Sequence, residues 1–319
     1  MRVVALVPGS IGDQILFFPT LDDLKRSYPD AQIDVVVEPR SKAAYQVSKS
    51  VHEVLTFDYK DRNSLADWGN LVGTIRDREY DVAITAGESW FVGLFLWLTG
   101  IPTRIGFKSK GAGFLTNVVS ANTSKYVPAM YHDLLRPLGI NTLCPELAVN
   151  VLKPDIEWAQ QQQKRLGINE TGYILIYGGS GKLSQIDGAD TSYPVAGWQQ
   201  IIQDFQHKQP DLPVVVIKET DDDQFLSSLL EYCPGIKVIS PDDIGKLTAI
   251  IGGASLMLSI NSVPLQLAVA VQTYTIALLG YTDPGKLLPT SDKFQAIKSP
   301  TGKMADIPPA TVLEKIWGA

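Results

Sequence analysis

The sequence predicts an α/β protein of two domains, each built on a doubly wound parallel sheet. Three observations carry this. Short continuous runs of apolar residues, such as Arg2–Val7 and Val214–Ile217, have the pattern of strands covered on both faces. These runs alternate with helical stretches, the rhythm of βαβ units. The rhythm pauses at a linker, Asn150 to Asp155, and then starts again. A chain of 319 residues suits that division at ~100–200 residues per domain.

The elements justify themselves in order. After the strand Arg2–Val7, a helix is predicted from Asp13 toward Tyr28, with Pro19 either kinking it or starting a fresh turn. Strands at Gln32–Val37 and Val54–Phe57 precede a helix at Trp68–Arg78 and a strand at Asp81–Thr85. Trp90–Thr99 is an apolar helix closed by Gly100 and Pro102; at this length it reads as core rather than membrane contact. A short strand, Arg104–Phe107, leads into a Gly- and Ser-rich loop from Lys108 to Lys125, then a helix at Tyr131–Leu138. Beyond the linker, helices at Ile156–Leu166, Val195–Gln206, Asp223–Tyr232, Ile244–Gly252, Val263–Val271 and Pro309–Trp317 are predicted. They alternate with strands at Tyr173–Tyr177, Val214–Ile217, Lys237–Ile239, Leu256–Ile260 and Tyr274–Leu279.

Composition narrows the function. A net charge of −6 argues against duplex nucleic acid, whose binders carry a basic footprint. Cys144 and Cys233 lie far apart and His52, His132 and His207 are scattered, so no metal or disulfide framework is predicted, which suits a reducing cytoplasm. The N-terminal apolar run is short for a signal peptide, and the longest apolar stretch, Trp90 to Leu98, is well under the ~20 residues of a spanning helix. A soluble chain, or one peripheral to a membrane, is expected.

Open parallel sheets bind ligands at the carboxyl ends of their strands, and three loops there stand out. Gly9-Ser10-Ile11-Gly12-Asp13 follows the first strand. Ser10 and Asp13 have the spacing of a capping box, which alone would explain both. The functional alternative makes Asp13 a general base for an acceptor hydroxyl, with Ser10 and Gly12 on the acceptor side and glycine allowing close approach. Gly178-Gly179-Ser180-Gly181-Lys182 opens the second half and could cradle an anion, although the P-loop spacing fails. Asn261-Ser262-Val263-Pro264-Leu265 begins a helix whose free amides would suit a phosphate, and Gly280-Tyr281-Thr282-Asp283-Pro284-Gly285 follows the next strand. Asp221 or Asp223 could reach a ribose after strand Val214–Ile217. Lys108, Lys110 and Lys125 are cations for an acidic acceptor, or merely solvated side chains. A nucleotide-sugar epimerase with an early G-x-x-G-x-x-G and a Tyr-x-x-x-Lys pair is disfavoured, because both are missing.

The opening V-P-G-S-I-G-D-x-x-x-x-x-P, followed by L-x-x-L-K-R-x-Y-P-D-A-x-I-D-V-V-V-E, resembles the start of glycosyltransferase family 9, the lipopolysaccharide heptosyltransferases. Further echoes follow in order: Tyr80-Asp81, Arg104-Ile105-Gly106-Phe107, Tyr131-His132, Tyr193-Pro194-x-x-x-Trp198 and Gly280-x-Thr282-Asp283-Pro284. The resemblance implies a GT-B architecture, with two Rossmann-like domains facing across a cleft. It implies an acceptor domain over residues 1–152, a nucleotide-sugar domain over 153–308, and a closing helix, 309–319, packed back on the first domain. It implies metal-independent, inverting transfer without a cofactor, Asp13 as base, and a nucleotide-sugar co-substrate such as an ADP-sugar. The acceptor would be a glycan or glycolipid, with peripheral membrane contact. The sequence departs from the family's pattern in places. Asn261-Ser262-Val263-Pro264-Leu265-Gln266 stands where the family has Asp-Thr-Gly-x-x-His, and Thr191 stands for a lysine that neutralises leaving-group phosphate, a role open to Lys182 or Lys286. Thr85-Ala86-Gly87-Glu88 replaces an Asp-x-Gln-Gly stretch. These departures motivate a second reading, a non-catalytic GT-B relative acting as a binding or assembly scaffold.

Overall fold

A computed structural model describes residues 1–59, 64–178, 192–219 and 223–318. The chain divides into two compact units, Met1–Asn150 and Val151–Ala319. In the first, strands β1 (Arg2–Leu6), β2 (Gln32–Val37), β3 (Glu53–Thr56), β4 (Val82–Thr85), β5 (Thr103–Phe107) and β6 (Asn117–Val119) form one parallel sheet in the order β3-β2-β1-β4-β5-β6. Helices α1 (Ile11–Ser27), α2 (Leu65–Asp77), α3 (Trp90–Thr99) and α4 (Val127–His132) follow the strands. Every side chain of central β1 after Arg2 is buried, because helices cover both of its faces. On one face Val4, Leu6 and Ala83 pack with Leu71 and Ile75 of α2 and with Val92, Phe95 and Leu96 of α3.

The second unit repeats the plan. It contains α5 (Lys153–Leu166), β7 (Ile174–Tyr177), α6 (Val195–Lys208), β8 (Val214–Ile217), α7 (Asp223–Tyr232), β9 (Lys237–Ile239), α8 (Ile244–Gly252), β10 (Leu256–Ile260), α9 (Val263–Ala270), β11 (Thr275–Leu279), α10 (Pro284–Leu287), β12 (Phe294–Lys298) and α11 (Pro309–Trp317). Its parallel sheet runs β12-β11-β10-β7-β8-β9. Each sheet therefore reverses its winding at one place, between β1 and β4 and between β7 and β10. That is where an open α/β sheet leaves a crevice.

Several boundaries differ from the sequence reading, each for a local reason. α1 starts at Ile11 and continues through Pro19, whose side chain is buried in the helix's inner face. α5 starts at Lys153 inside the expected linker, with Pro154 in the first turn, where its missing N–H costs nothing. The Tyr131–Leu138 helix is instead α4 followed by a 3-10 segment, Asp133–Leu138, that holds Pro137. The Lys108–Lys125 loop contains β6, an edge strand too short to show a period. β12 and the 3-10 segment Pro39–Val47 lie where the sequence reading has no element. The closing helix has its anchor on α6 of its own unit. Trp317 of α11 donates its indole N–H to Asp204 at 2.7 Å and its ring lies tilted 5.2 Å from that of Phe205, both on α6. No helix among the described residues is long and apolar enough to cross a membrane.

Candidate active site

The loop after β1 is braced along its length. Gln14 donates to the carbonyl of Val7 at 2.9 Å, and Ser41 donates to that of Gly9 at 2.6 Å. The Tyr45 hydroxyl in turn donates to Gln14 at 2.8 Å, so the brace is itself held. Ser10 caps α1, and Asp13 in its first turn completes the box: Asp13 Oδ2 accepts from the Ser10 amide at 2.7 Å and from the Ser10 hydroxyl at 2.8 Å. One carboxylate oxygen is committed to the cap, and among the described residues Oδ1 has no partner. Gly9 is required here. It has φ +125°, and a Cβ would lie 2.4 Å from Asp13 Oδ2.

The loop after β4 comes up beside this one. A Cβ on Gly87 would lie 3.3 Å from Pro8 Cγ, so the two strand ends of the first winding reversal touch. Glu88 follows and is exposed. The Tyr131 phenol on α4 is pushed well above its ordinary pKa, first by burial and then by the charges of Asp13 and Glu88. Tyr131 also packs edge-on to Phe17 at 5.4 Å. A carboxylate with one oxygen unpaired among the described residues, a phenol and a second carboxylate are therefore near enough for the two charges to act on the phenol. In the sequence Glu88 and Tyr131 stand out only through the family's pattern, because nothing local shows that residues so far apart converge.

In the second unit the equivalent rim lies at Gly178 and Asn261–Leu265. Gly178 ends β7 against the fully buried Trp198, whose indole nitrogen would be 2.2 Å from a Cβ placed there. Tyr193 packs edge-on to Trp198 at 5.1 Å and donates to the Ile307 carbonyl at 3.0 Å. The Tyr193-Pro194-x-x-x-Trp198 pattern is thus a packing device that seats the start of α6. Gly179, Ser180, Gly181, Lys182 and Thr191 lie outside the described residues, as does Asp221. Asp223 is exposed and paired with Lys218 at 2.6 Å.

The start of α9 is well described. Ser262 caps it, accepting from the Leu265 amide at 3.3 Å, and its hydroxyl donates to the Ile260 carbonyl at 3.0 Å. Pro264 has no N–H to offer. Of the amides expected to meet a phosphate, that of Leu265 is taken by the cap and those of Asn261, Ser262 and Val263 remain; the Val263 and Leu265 side chains are buried. Asn261 donates to the Thr282 hydroxyl at 3.3 Å, so the loops after β10 and β11 do come together. The Gln266 side-chain oxygen is buried without a partner among the described residues.

Two polar clusters lie away from these rims. Asp34, His52 and Glu53 are close enough to share a cation. Arg78 already fills that place, bonded to Glu53 at 2.5 and 2.8 Å and to Asp34 at 3.3 Å. The second cluster centres on Asp23, which is fully buried and accepts from Thr142 at 2.5 Å, with His132 Nε2 at 2.6 Å and Arg26 at 2.5 Å. Burial works against its charge, but these partners outweigh it and hold the carboxyl below its ordinary pKa. Lys125 is bound to the adjacent Asp133 at 2.7 Å, so of the three loop lysines only Lys108 and Lys110 have no ion-pair partner among the described residues.

Comparison with known proteins gives the chain's family. Residues 68–316 match the family described as glycosyltransferase family 9 (heptosyltransferase). The loop carrying Asp13 precedes that span. Over 98% of its length the chain is 25% identical to the Arabidopsis thaliana photosynthetic NDH subunit of subcomplex B 1, chloroplastic, covering 72% of that protein. Over 85% of its length it is 21% identical to lipopolysaccharide heptosyltransferase 3 of Escherichia coli, covering 81% of that protein. The solved structure of E. coli ADP-heptose lps heptosyltransferase II superposes with a TM-score of 0.79 at 17% identity, covering 100% of this chain and 98% of that one. The chain therefore has the GT-B fold and belongs to glycosyltransferase family 9.

Proposed function

We propose that the chain transfers a sugar from a nucleotide-diphosphate sugar to a hydroxyl of a glycan or glycolipid acceptor, with inversion and without a metal. The observation that carries this is Asp13, fixed at the winding reversal of the first sheet with one oxygen anchored by Ser10 and the other unpaired among the described residues. Asp13 Oδ1 would take the acceptor's hydroxyl proton as the acceptor oxygen attacks the anomeric carbon. The bond to the diphosphate breaks on the opposite face, and the nucleoside diphosphate leaves. Donor binding falls to Gly178–Lys182 and Asn261–Leu265, with Lys182 and Lys286 as the cations for the leaving group. The similarity to an ADP-heptose enzyme makes an ADP-sugar the first donor to try. The reaction would run in the cytoplasm, at the inner face of the membrane when the acceptor is a glycolipid.

The test is Asp13→Asn. Asparagine keeps an oxygen to accept from the Ser10 amide, so the helix start survives while the base is lost. Transfer should fall by at least about a hundredfold, the lower end of general-base contributions, with unchanged donor affinity and an unchanged melting curve. Full activity in the variant would remove Asp13 from the chemistry.

A second reading is a non-catalytic scaffold, favoured by the α9 start, where Pro264 has no N–H and the cap takes the Leu265 amide in place of the family's Asp-Thr-Gly. The relative named as a subunit of a photosynthetic complex points the same way. Thermal shift with nucleotide-sugars separates the two. A true donor at 100 times its Kd adds about 2.7 kcal/mol of stability, whereas a scaffold shows no shift with any donor.

A further inference from the structure

Helix α3 is apolar all round, yet it is buried on one side only. Val92, Phe95, Leu96 and Thr99 face the core. Trp90, Leu94, Trp97 and Leu98 fall at i, i+4, i+7 and i+8, which is one stripe of a helix. Three of them are exposed: Trp90 by 53%, Trp97 by 54% and Leu98 by 49%. The stripe continues onto the next segment, where Phe114 lies 6.3 Å from Trp97 and Val118 is exposed. A contiguous apolar surface of this kind is uncommon on a chain that stays in water.

Its charge is equally uneven. From Ser89 to His132 the sequence has no Asp or Glu, in a chain with 34 acidic residues and a net charge of −6. The same span has Arg104, Lys108, Lys110 and Lys125. Arg104 is used internally, donating to the carbonyls of Phe114 and Ile101, and Lys125 is paired with Asp133. Lys108 and Lys110 are exposed. They sit beside the stripe, because the backbone at Gly111 crosses the first turn of α3: a Cβ on Gly111 would lie 2.7 Å from Trp90 Cα, and one on Gly93 would lie 2.4 Å from the Gly111 carbonyl oxygen. Glu88, just before the helix, is the nearest acid in sequence.

From this surface we infer that α3 and the Lys108–Gly111 loop dock the chain on an anionic lipid bilayer. Indole rings favour the headgroup level of a membrane, and lysines beside them meet anionic headgroups. At ~1.5 Å per residue a helix this short cannot cross a ~30 Å hydrocarbon core, so it lies on the surface. A second copy of the chain is a poorer occupant. A two-fold contact centred on this stripe would bring two sets of exposed lysines together. The inference rests on the reading that the acceptor is a glycolipid, and it says which face meets the membrane.

Flotation of the full chain with vesicles tests it, using equal parts phosphatidylcholine and phosphatidylglycerol against phosphatidylcholine alone. Wild type should float with the anionic vesicles and far less with the neutral ones, and added salt should weaken the binding. Trp97→Gln with Leu98→Gln should cut partitioning at least tenfold, without shifting the melting temperature, because both side chains are already half in water. Lys108→Gln with Lys110→Gln should cut it about 30-fold, from ~1 kcal/mol per basic residue. Three outcomes would overturn the inference: no flotation of wild type on anionic vesicles, flotation of both variants equal to wild type, or a wild-type dimer that the Trp97 and Leu98 changes dissolve. A chain that floats but transfers no sugar leaves the docking intact and sinks only the enzyme reading. A chain that glycosylates a soluble acceptor but never floats does the reverse.

Discussion

Gly9 and Gly69 are the same residue type in opposite situations. At Gly9 the backbone has φ +125°, and a Cβ would collide with Asp13 Oδ2. Gly9→Ala should therefore cost at least about 2 kcal/mol in urea unfolding, from backbone strain and the lost cap together, and it should displace Asp13. Gly69 lies within α2 with nothing near its missing Cβ. Gly69→Ala should gain ~0.5–1 kcal/mol. The buried Asp23 gives a pH prediction at the same scale. Its carboxyl titrates lower in the folded chain than in the unfolded one, so on acidification the unfolded chain takes up the proton first. The stabilisation is whole above the unfolded value of ~3.9 and is lost as pH falls through the lower folded value. Asp23→Asn should cost about 3 kcal/mol at neutral pH, the lower end for breaking a buried pair. It should also flatten the acid limb of a stability-versus-pH series. An unchanged acid limb would show that other carboxyls control it.

Helix ends explain most of what is and is not readable in the elements. α2 and α8 begin with Ser64 and Asp243 side chains bonded to first-turn amides, and such caps are visible in sequence. β12 and β6 give weaker signals. The first mixes polar and apolar residues at a sheet edge, and the second is three residues long. The position of α11 is a matter of partners rather than propensity. Its amphipathic face fits any apolar groove, and only the contacts of Trp317 with Asp204, Phe205 and Lys208 show which one it takes. Trp317→Ala should destabilise the second unit by about 2 kcal/mol, less than a fully buried tryptophan would, and should expose the α6 backbone to hydrogen exchange. No change in protection of α6 would mean that the helix is not anchored there.

At the scale of the molecule, each unit has a complete six-stranded sheet with the same winding. Each should fold without the other. Fragments cut between Asn150 and Val151 should each give the circular dichroism of an α/β protein and a cooperative melt. A fragment that melts without cooperativity would show that its core depends on the rest of the chain.

The sequence by itself determined the two-sheet architecture, the division near residue 150 and the three loops at strand ends, because apolar runs, glycines and caps are local in the chain. The tertiary structure decided what those loops can offer. It brought Glu88 and Tyr131 near Asp13, joined Asn261 to Thr282 across the loops after β10 and β11, and turned half of an apolar helix to the solvent. None of these is written in a window of neighbouring residues. Each depends on which distant side chain occupies a given volume, and chain packing alone settles that.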